Sequence, residues 1–123
     1  MHDPSDHRAA LGKRGEEIVS LHLAQSGMDI LARNFACLPL GELDIVARDG
    51  ETVVFVEVKS RVGQSGLRQA IGSRQTMRLK RMAKIFLDRR GCWEVDYRFL
   101  LFYVVFVSPS DQKPQLLRLD DPF

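Results

Sequence analysis

Residues 42 to 59 read E-L-D-I-V-A-R-D-G-E-T-V-V-F-V-E-V-K, and no other stretch restricts the fold as much. Two β-rich runs flank an Asp49-Gly50 pair, among the strongest local signals for a hairpin. With a two-residue turn at 49 and 50, Arg48 faces Glu51, Asp44 falls opposite Phe55, and Glu42 falls opposite Glu57. A four-residue loop centred on the same point gives the same register, whereas a three-residue loop turns Asp44 to the other face. The second run, V-V-F-V, is apolar throughout and reads as a strand buried on both sides. It nevertheless leads into two ionisable residues, Glu57 and Lys59.

The surrounding chain supplies partners for that hairpin. Residues 8 to 26 suit a helix closed by Gly27, with Leu11, Ile18, Val19, His22 and Leu23 on one face and Glu16 at its border. Residues 28 to 36 read as a short strand, interrupted by Pro39 and Gly41. A glycine-containing loop at 62 to 67 precedes a helix from Leu67 to Arg89, in which Leu79, Met82, Ala83 and Phe86 form the core-facing stripe. Gly91 ends it. A long strand over 93 to 107, a turn through S-P-S-D-Q-K-P and an edge strand over 115 to 119 complete the order α-β-β-β-α-β-β. This is an α/β or α+β fold, helices packed on a central mixed sheet. At 123 residues it forms a single domain, long enough to bury roughly two-thirds of the surface its unfolded chain exposes. Residues 1 to 7 read as a flexible N-terminal segment.

Several function classes drop out. Cys37 and Cys92 lack the C-x-x-C spacing of zinc or redox sites and read as small hydrophobes in a reducing, cytoplasmic compartment. His2, His7 and His22 form no ligand pair. The longest apolar run, residues 99 to 107, falls far short of the roughly 20 needed to span a bilayer, and the N-terminus lacks the apolar region of a secretion signal. No membrane partner is expected. Trp93 and Tyr97 read as core aromatics rather than base-stacking platforms. Net charge is only +2, but residues 68 to 90 hold eight basic side chains against one acid, Asp88, which suggests a polyanionic partner.

Strand alternation puts Glu57 and Lys59 on one face, about 6.5 to 7 Å apart along the chain. The hairpin adds Glu42 across from Glu57, and Asp44 one diagonal step away at roughly 7 to 8 Å between backbones. In isolation, an E-x-K at a strand end is a same-face ion pair. Three acids around one lysine are a different matter, because half-burying several like charges costs several kcal/mol each unless something compensates. A divalent cation compensates. Mg²⁺ takes hard oxygen ligands from one or two carboxylates and keeps positions for water and phosphate. A lysine two residues beyond such a ligand can hold an attacking water and stabilise charge building on phosphorus.

The segments L-G-K-R-G-E at 11 to 16, A-R-N-F at 32 to 35, G-E-L-D-I-V-A at 41 to 47 and V-F-V-E-V-K-S-R at 54 to 61 carry a resemblance. Through them the chain is identified as a member of the uncharacterised YraN-like family. That family sits in the PD-(D/E)XK nuclease superfamily, with a restriction-endonuclease-like fold and Holliday-junction resolvases as relatives. The resemblance implies that Asp44 and Glu57 bind Mg²⁺ or Mn²⁺, that the Val58 carbonyl completes the site, and that Lys59 is the catalytic lysine. It also implies that Glu16 is the first-helix acid of resolvase-like members. Glu42 belongs to the G-E-x-D motif and is a further metal candidate. Junction-cutting relatives work as dimers, which leaves a homodimer open. Two positions depart from the family pattern. Gln75 stands where a lysine is frequent, on the face of Leu79, Met82 and Phe86, and is a candidate to orient water or phosphate or, equally, a polar cap on the core. Leu100 stands where an aspartate is frequent.

On the second helix Arg74, Arg78 and Arg81 fall at i, i+4, i+7, with Lys80 and Lys84 beside them. Such a stripe clamps phosphates, and Arg61, just past the E-V-K motif, joins it as a nucleic-acid contact. The expectation is a metal-dependent nucleic-acid phosphodiesterase, with branched or single-stranded DNA as its substrate, in repair or recombination. The alternative is a catalytically silent nucleic-acid-binding module of the same fold.

Overall fold

A computed structural model describes residues 4–63 and 71–123, with side chains from residue 8 onward in the first of these segments. Seven elements follow one another: α1 (Pro4–Gln25), β1 (Asp29–Ala36), β2 (Glu42–Asp49), β3 (Thr52–Val62), α2 (Ser73–Arg90), β4 (Tyr97–Phe106) and β5 (Gln115–Asp120). The five strands lie side by side in chain order. All neighbours are antiparallel except β3 and β4, which run parallel because α2 carries the chain back between them. This is the expected α+β order around a mixed sheet.

The apolar runs occupy the centre of the sheet. Val53–Val56 of β3 and Phe99–Phe106 of β4 are buried on both faces, as strands covered from both sides must be. One face packs α2 through Leu79, Met82, Ala83 and Phe86 against Phe55, Phe99, Leu101 and Tyr103. The other packs α1 through Leu11, Val19 and Leu23 against Val54, Val56, Leu100, Phe102 and Val104. Leu100 is therefore a core residue on the α1 side, where an acid would be buried.

Three expectations change at the boundaries. Helix α1 begins at Pro4, earlier than anticipated; residues 1–3 of the supposed flexible segment lie outside the described residues. Helix α2 begins at Ser73, and the anticipated residues 67–70, with most of the preceding loop, also lie outside them. Strand β4 begins only at Tyr97: Gly91 caps α2 in the left-handed conformation (φ 66°) and the chain turns before re-entering the sheet. Trp93 and Tyr97 consequently stand 74% and 52% exposed rather than in the core.

The hairpin register is the most informative correction. Asp49 pairs with Thr52, Arg48 with Val53 and Val46 with Phe55, so the loop is Gly50-Glu51, and each anticipated pairing slips by two residues. Gly50 is left-handed (φ 61°) and Glu51 is not, the combination of a type II′ turn with glycine first. Because side chains alternate with a period of two, an even slip leaves the faces unchanged. Its consequence is that Asp44 moves from a diagonal position to the level of Glu57.

Candidate metal and phosphodiester site

The ladder between β2 and β3 ends at Ile45 and Val56, although β3 runs on to Val62. Beyond that point the two strands fork. On β2, Leu43 and Val46 pack on the α2 side while Ile45 and Ala47 pack on the α1 side. Strict alternation therefore breaks at Asp44. The Asp44 carboxylate turns into the gap and accepts the Val58 backbone N–H at 2.9 Å, taking the place of a strand carbonyl.

From the α2 side, Glu57 and Lys59 follow Phe55 along the same face. Gln75, in the first turn of α2, joins them: its Nε2 donates to Glu57 Oε1 at 3.2 Å, and its Oε1 accepts from Lys59 Nζ at 3.3 Å. The helix face that buries Leu79 and Phe86 against Phe55 thus aims its first polar residue at the end of the strand. From the α1 side comes Glu16. Gly15 makes this approach possible, since a Cβ there would overlap Ser60 Oγ, and that hydroxyl donates to the Leu11 carbonyl at 3.1 Å. Asn34, in the left-handed conformation (φ 50°), donates to Glu16 Oε2 at 3.0 Å.

The electrostatics reflect this crowding. Burial pushes Asp44 up to about 6; the Val58 N–H opposes the rise, and the Glu16 charge adds to it. Burial raises Glu57 further, to about 8, assisted by the Asp44 charge and opposed by Lys59 and Arg78. Two carboxyl groups that resist ionising together lie where a cation would be most welcome.

The profile of Uncharacterised protein family UPF0102 matches residues 15–107, which contain all of these groups. The chain belongs to this family. UPF0102, or YraN, is related to the PD-(D/E)XK nucleases. A UPF0102 protein of Desulfitobacterium hafniense is 40% identical over 111 residues, covering 89% of each chain. One from Geobacter sulfurreducens is 38% identical over 108 residues, covering 86% of this chain and 84% of its own. One from Mycolicibacterium smegmatis is 49% identical over 93 residues, covering 72% and 74%.

In this UPF0102 chain the fork thus brings together Asp44, Glu57, Val58, Lys59 and Gln75, with Glu16 reaching Asp44 from the other face. Glu42 is not among them. It pairs with Ala36 on β1, stands exposed, and lines a groove with Lys13, Glu16 and Asn34. The slip of two removes it from its anticipated place opposite Glu57. Of the basic residues, Arg78 lies near enough to act on Glu57, while Arg74, Arg81 and Lys84 are exposed on α2. Lys80 leans away, its ammonium 5.1 Å from the Phe123 ring centroid. Arg61 lies beyond the fork, its guanidinium 5.9 Å from the Tyr103 ring centroid.

Sequence reasoning passed over Asn34 and Gly15. The signal for Asn34 was its residue type, since asparagine tolerates left-handed backbone several-fold better than most. Nothing local marks Gly15, because a close approach between a helix and a strand is a tertiary fact.

Proposed function

We propose that the protein is a metal-dependent nucleic-acid phosphodiesterase, with DNA as its substrate. One observation carries the reading: two half-buried carboxylates, Asp44 and Glu57, meet at a strand fork beside a lysine held by Gln75. The donor set fits a hard divalent cation, Mg²⁺ or Mn²⁺. Asp44 and Glu57 would hold it, and so would the Val58 carbonyl, since the N–H and C=O of a strand residue face the same edge. Among the described residues no group of three His, Cys, Asp or Glu side chains is suited to hold an ion. Water and substrate phosphate would complete the shell, as Mg²⁺ prefers. When bound, the ion supplies Lewis-acid polarisation of a phosphoryl oxygen and a nucleophilic water at neutral pH.

The chain's own groups do the rest. Lys59 Nζ, fixed by Gln75 Oε1, orients the attacking water and offsets negative charge growing on the phosphoryl oxygens. Gln75 also holds Glu57 in one rotamer, so the ligand and the lysine move as a unit. Glu16, fixed by Asn34, places a third acid beside Asp44 from the opposite face. Arg78, with Arg74 and Arg81 on the same stripe, receives the substrate backbone.

The test is cleavage of branched, flapped and single-stranded DNA with Mg²⁺ or Mn²⁺. Loss of activity is expected in Asp44→Asn and Lys59→Ala; activity surviving both would remove this site. Salt-dependent binding with no metal response in the intact protein would identify the silent binding module instead.

A further inference from the structure

Strand β3 outruns β2 by six residues, from Glu57 to Val62, and among the described residues only β4 accompanies it over that length. The direction of its amides follows from three bonds. Val53 N–H and Gly63 N–H donate to carbonyls on the β4 side, those of Asp96 and Phe106. Val58 N–H donates the other way, to Asp44. Alternation then turns the amides of Ser60 and Val62 toward the edge that β2 has left. An open strand edge begins at the candidate site itself.

That edge floors a groove of about 680 Å³, bounded by Arg8, Leu11 and Gly12 of α1 and by Val58 to Val62. Among the described residues Arg8, Lys59 and Arg61 line it, and no acid does. Arg61 is already oriented, donating through Nη1 to the Ser60 carbonyl at 2.8 Å. Gly12 keeps the wall low, for a Cβ there would meet nothing within 4 Å. A bed whose described side chains include three cations and no carboxylate suits a chain of phosphates better than a peptide strand, with the Ser60 and Val62 amides, which share the edge with their own carbonyls, beside the cations. One strand edge with its cations offers contacts to a single line of phosphates.

We propose that the free edge of β3, walled by Arg8 and Gly12 on one side and by Lys59 and Arg61 on the other, is the bed of one nucleic-acid strand leading to the fork. The inference deepens the phosphodiesterase reading and rests on it for direction, but binding in the bed does not require chemistry. It assigns Arg8 a phosphate contact and makes unpaired strand the substrate class, with duplex excluded from this path.

The test uses the full chain in EDTA and fluorescein-labelled oligothymidylate, followed by anisotropy across salt concentrations. Arg8→Glu is expected to weaken binding about tenfold and to lower the salt slope by about 0.7, the value of one single-strand phosphate contact. Gly12→Trp, which fills the bed without touching the core, is expected to block it. Arg118→Glu makes the same charge change on β5 and is expected to leave Kd unchanged. Hydrogen exchange should slow at Ser60 and Val62 when the oligonucleotide is present. Wild-type binding by both Arg8→Glu and Gly12→Trp would overturn the bed, as would an equal loss in Arg118→Glu or unprotected amides. The two readings separate cleanly. Binding in the bed without cleavage under Mg²⁺ or Mn²⁺ sinks the nuclease alone; cleavage with binding indifferent to Arg8 and Gly12 sinks the bed alone.

Discussion

The two halves of β3 share a strand and almost nothing else. From Val53 to Val56 it is paired on both sides and buried on both faces. From Glu57 to Val62 it keeps β4 but loses β2, and its side chains become half-buried or exposed. In the first half each backbone amide has a backbone partner. In the second a carboxylate substitutes for one, and acids gather where the ladder stops. The closed half supplies the rigidity, and the open half supplies polar groups that a continuous sheet would have consumed.

Substitutions should separate the halves. The largest effect is expected from Asp44→Asn, which keeps an acceptor for Val58 N–H but removes the charge. DNA cleavage should fall about a thousandfold, roughly 4 kcal/mol of transition-state stabilisation, while thermal unfolding at pH 8 moves upward if at all. A fall in Tm comparable to a core substitution would mean that Asp44 is structural. Phe55→Ala, in the closed half, should do the reverse. It should cost about 3 to 5 kcal/mol in urea denaturation, with the metal response of the remaining folded fraction preserved.

Gln75→Ala leaves both carboxylates and Lys59 in place but releases their bridge. The rate constant for cleavage should drop about thirtyfold with KM nearly constant, as expected when a reacting group is misplaced rather than removed. An effect confined to KM would assign Gln75 to substrate binding.

The pH dependence of stability sharpens the comparison further. Asp44 and Glu57 are raised in the folded state, so the native protein binds more protons than the unfolded chain between about pH 4 and pH 8. Stability of the metal-free protein should therefore fall as pH rises through that window, and its Tm with it. Mn²⁺ should restore it at pH 8, and Glu57→Gln should flatten the curve. A Tm that climbs across the window would contradict the crowding of these acids. The smallest effect is expected from Asn34→Gly, which tolerates φ 50° but frees Glu16. Cleavage should fall about threefold, with the Glu16→Gln variant insensitive to the same change.

Much of this was legible in the residues because faces depend only on parity. Glu57 and Lys59 share the face of Phe55 in any register, and an even slip of the hairpin cannot part Asp44 from them. Gln75 was legible for a similar reason, since it lies four residues before Leu79 on a helix whose apolar stripe had to meet the sheet. The turn itself was ambiguous. Asp49-Gly50 supports one two-residue loop and Gly50-Glu51 another, and local chemistry does not separate them by enough to decide.

What the sequence determined by itself was therefore the order of elements, the buried strands, and which charged side chains share a face. These follow from periodicity, which any folded context must respect. Only the tertiary structure decided that β2 leaves β3 at Asp44, that Glu42 falls outside the cluster, and that α1 comes close enough at Gly15 to bring Glu16 across. Those outcomes turn on how strands twist and helices seat against a particular core. Packing of that kind sums many small contacts between residues far apart in the chain, and no local pattern encodes it.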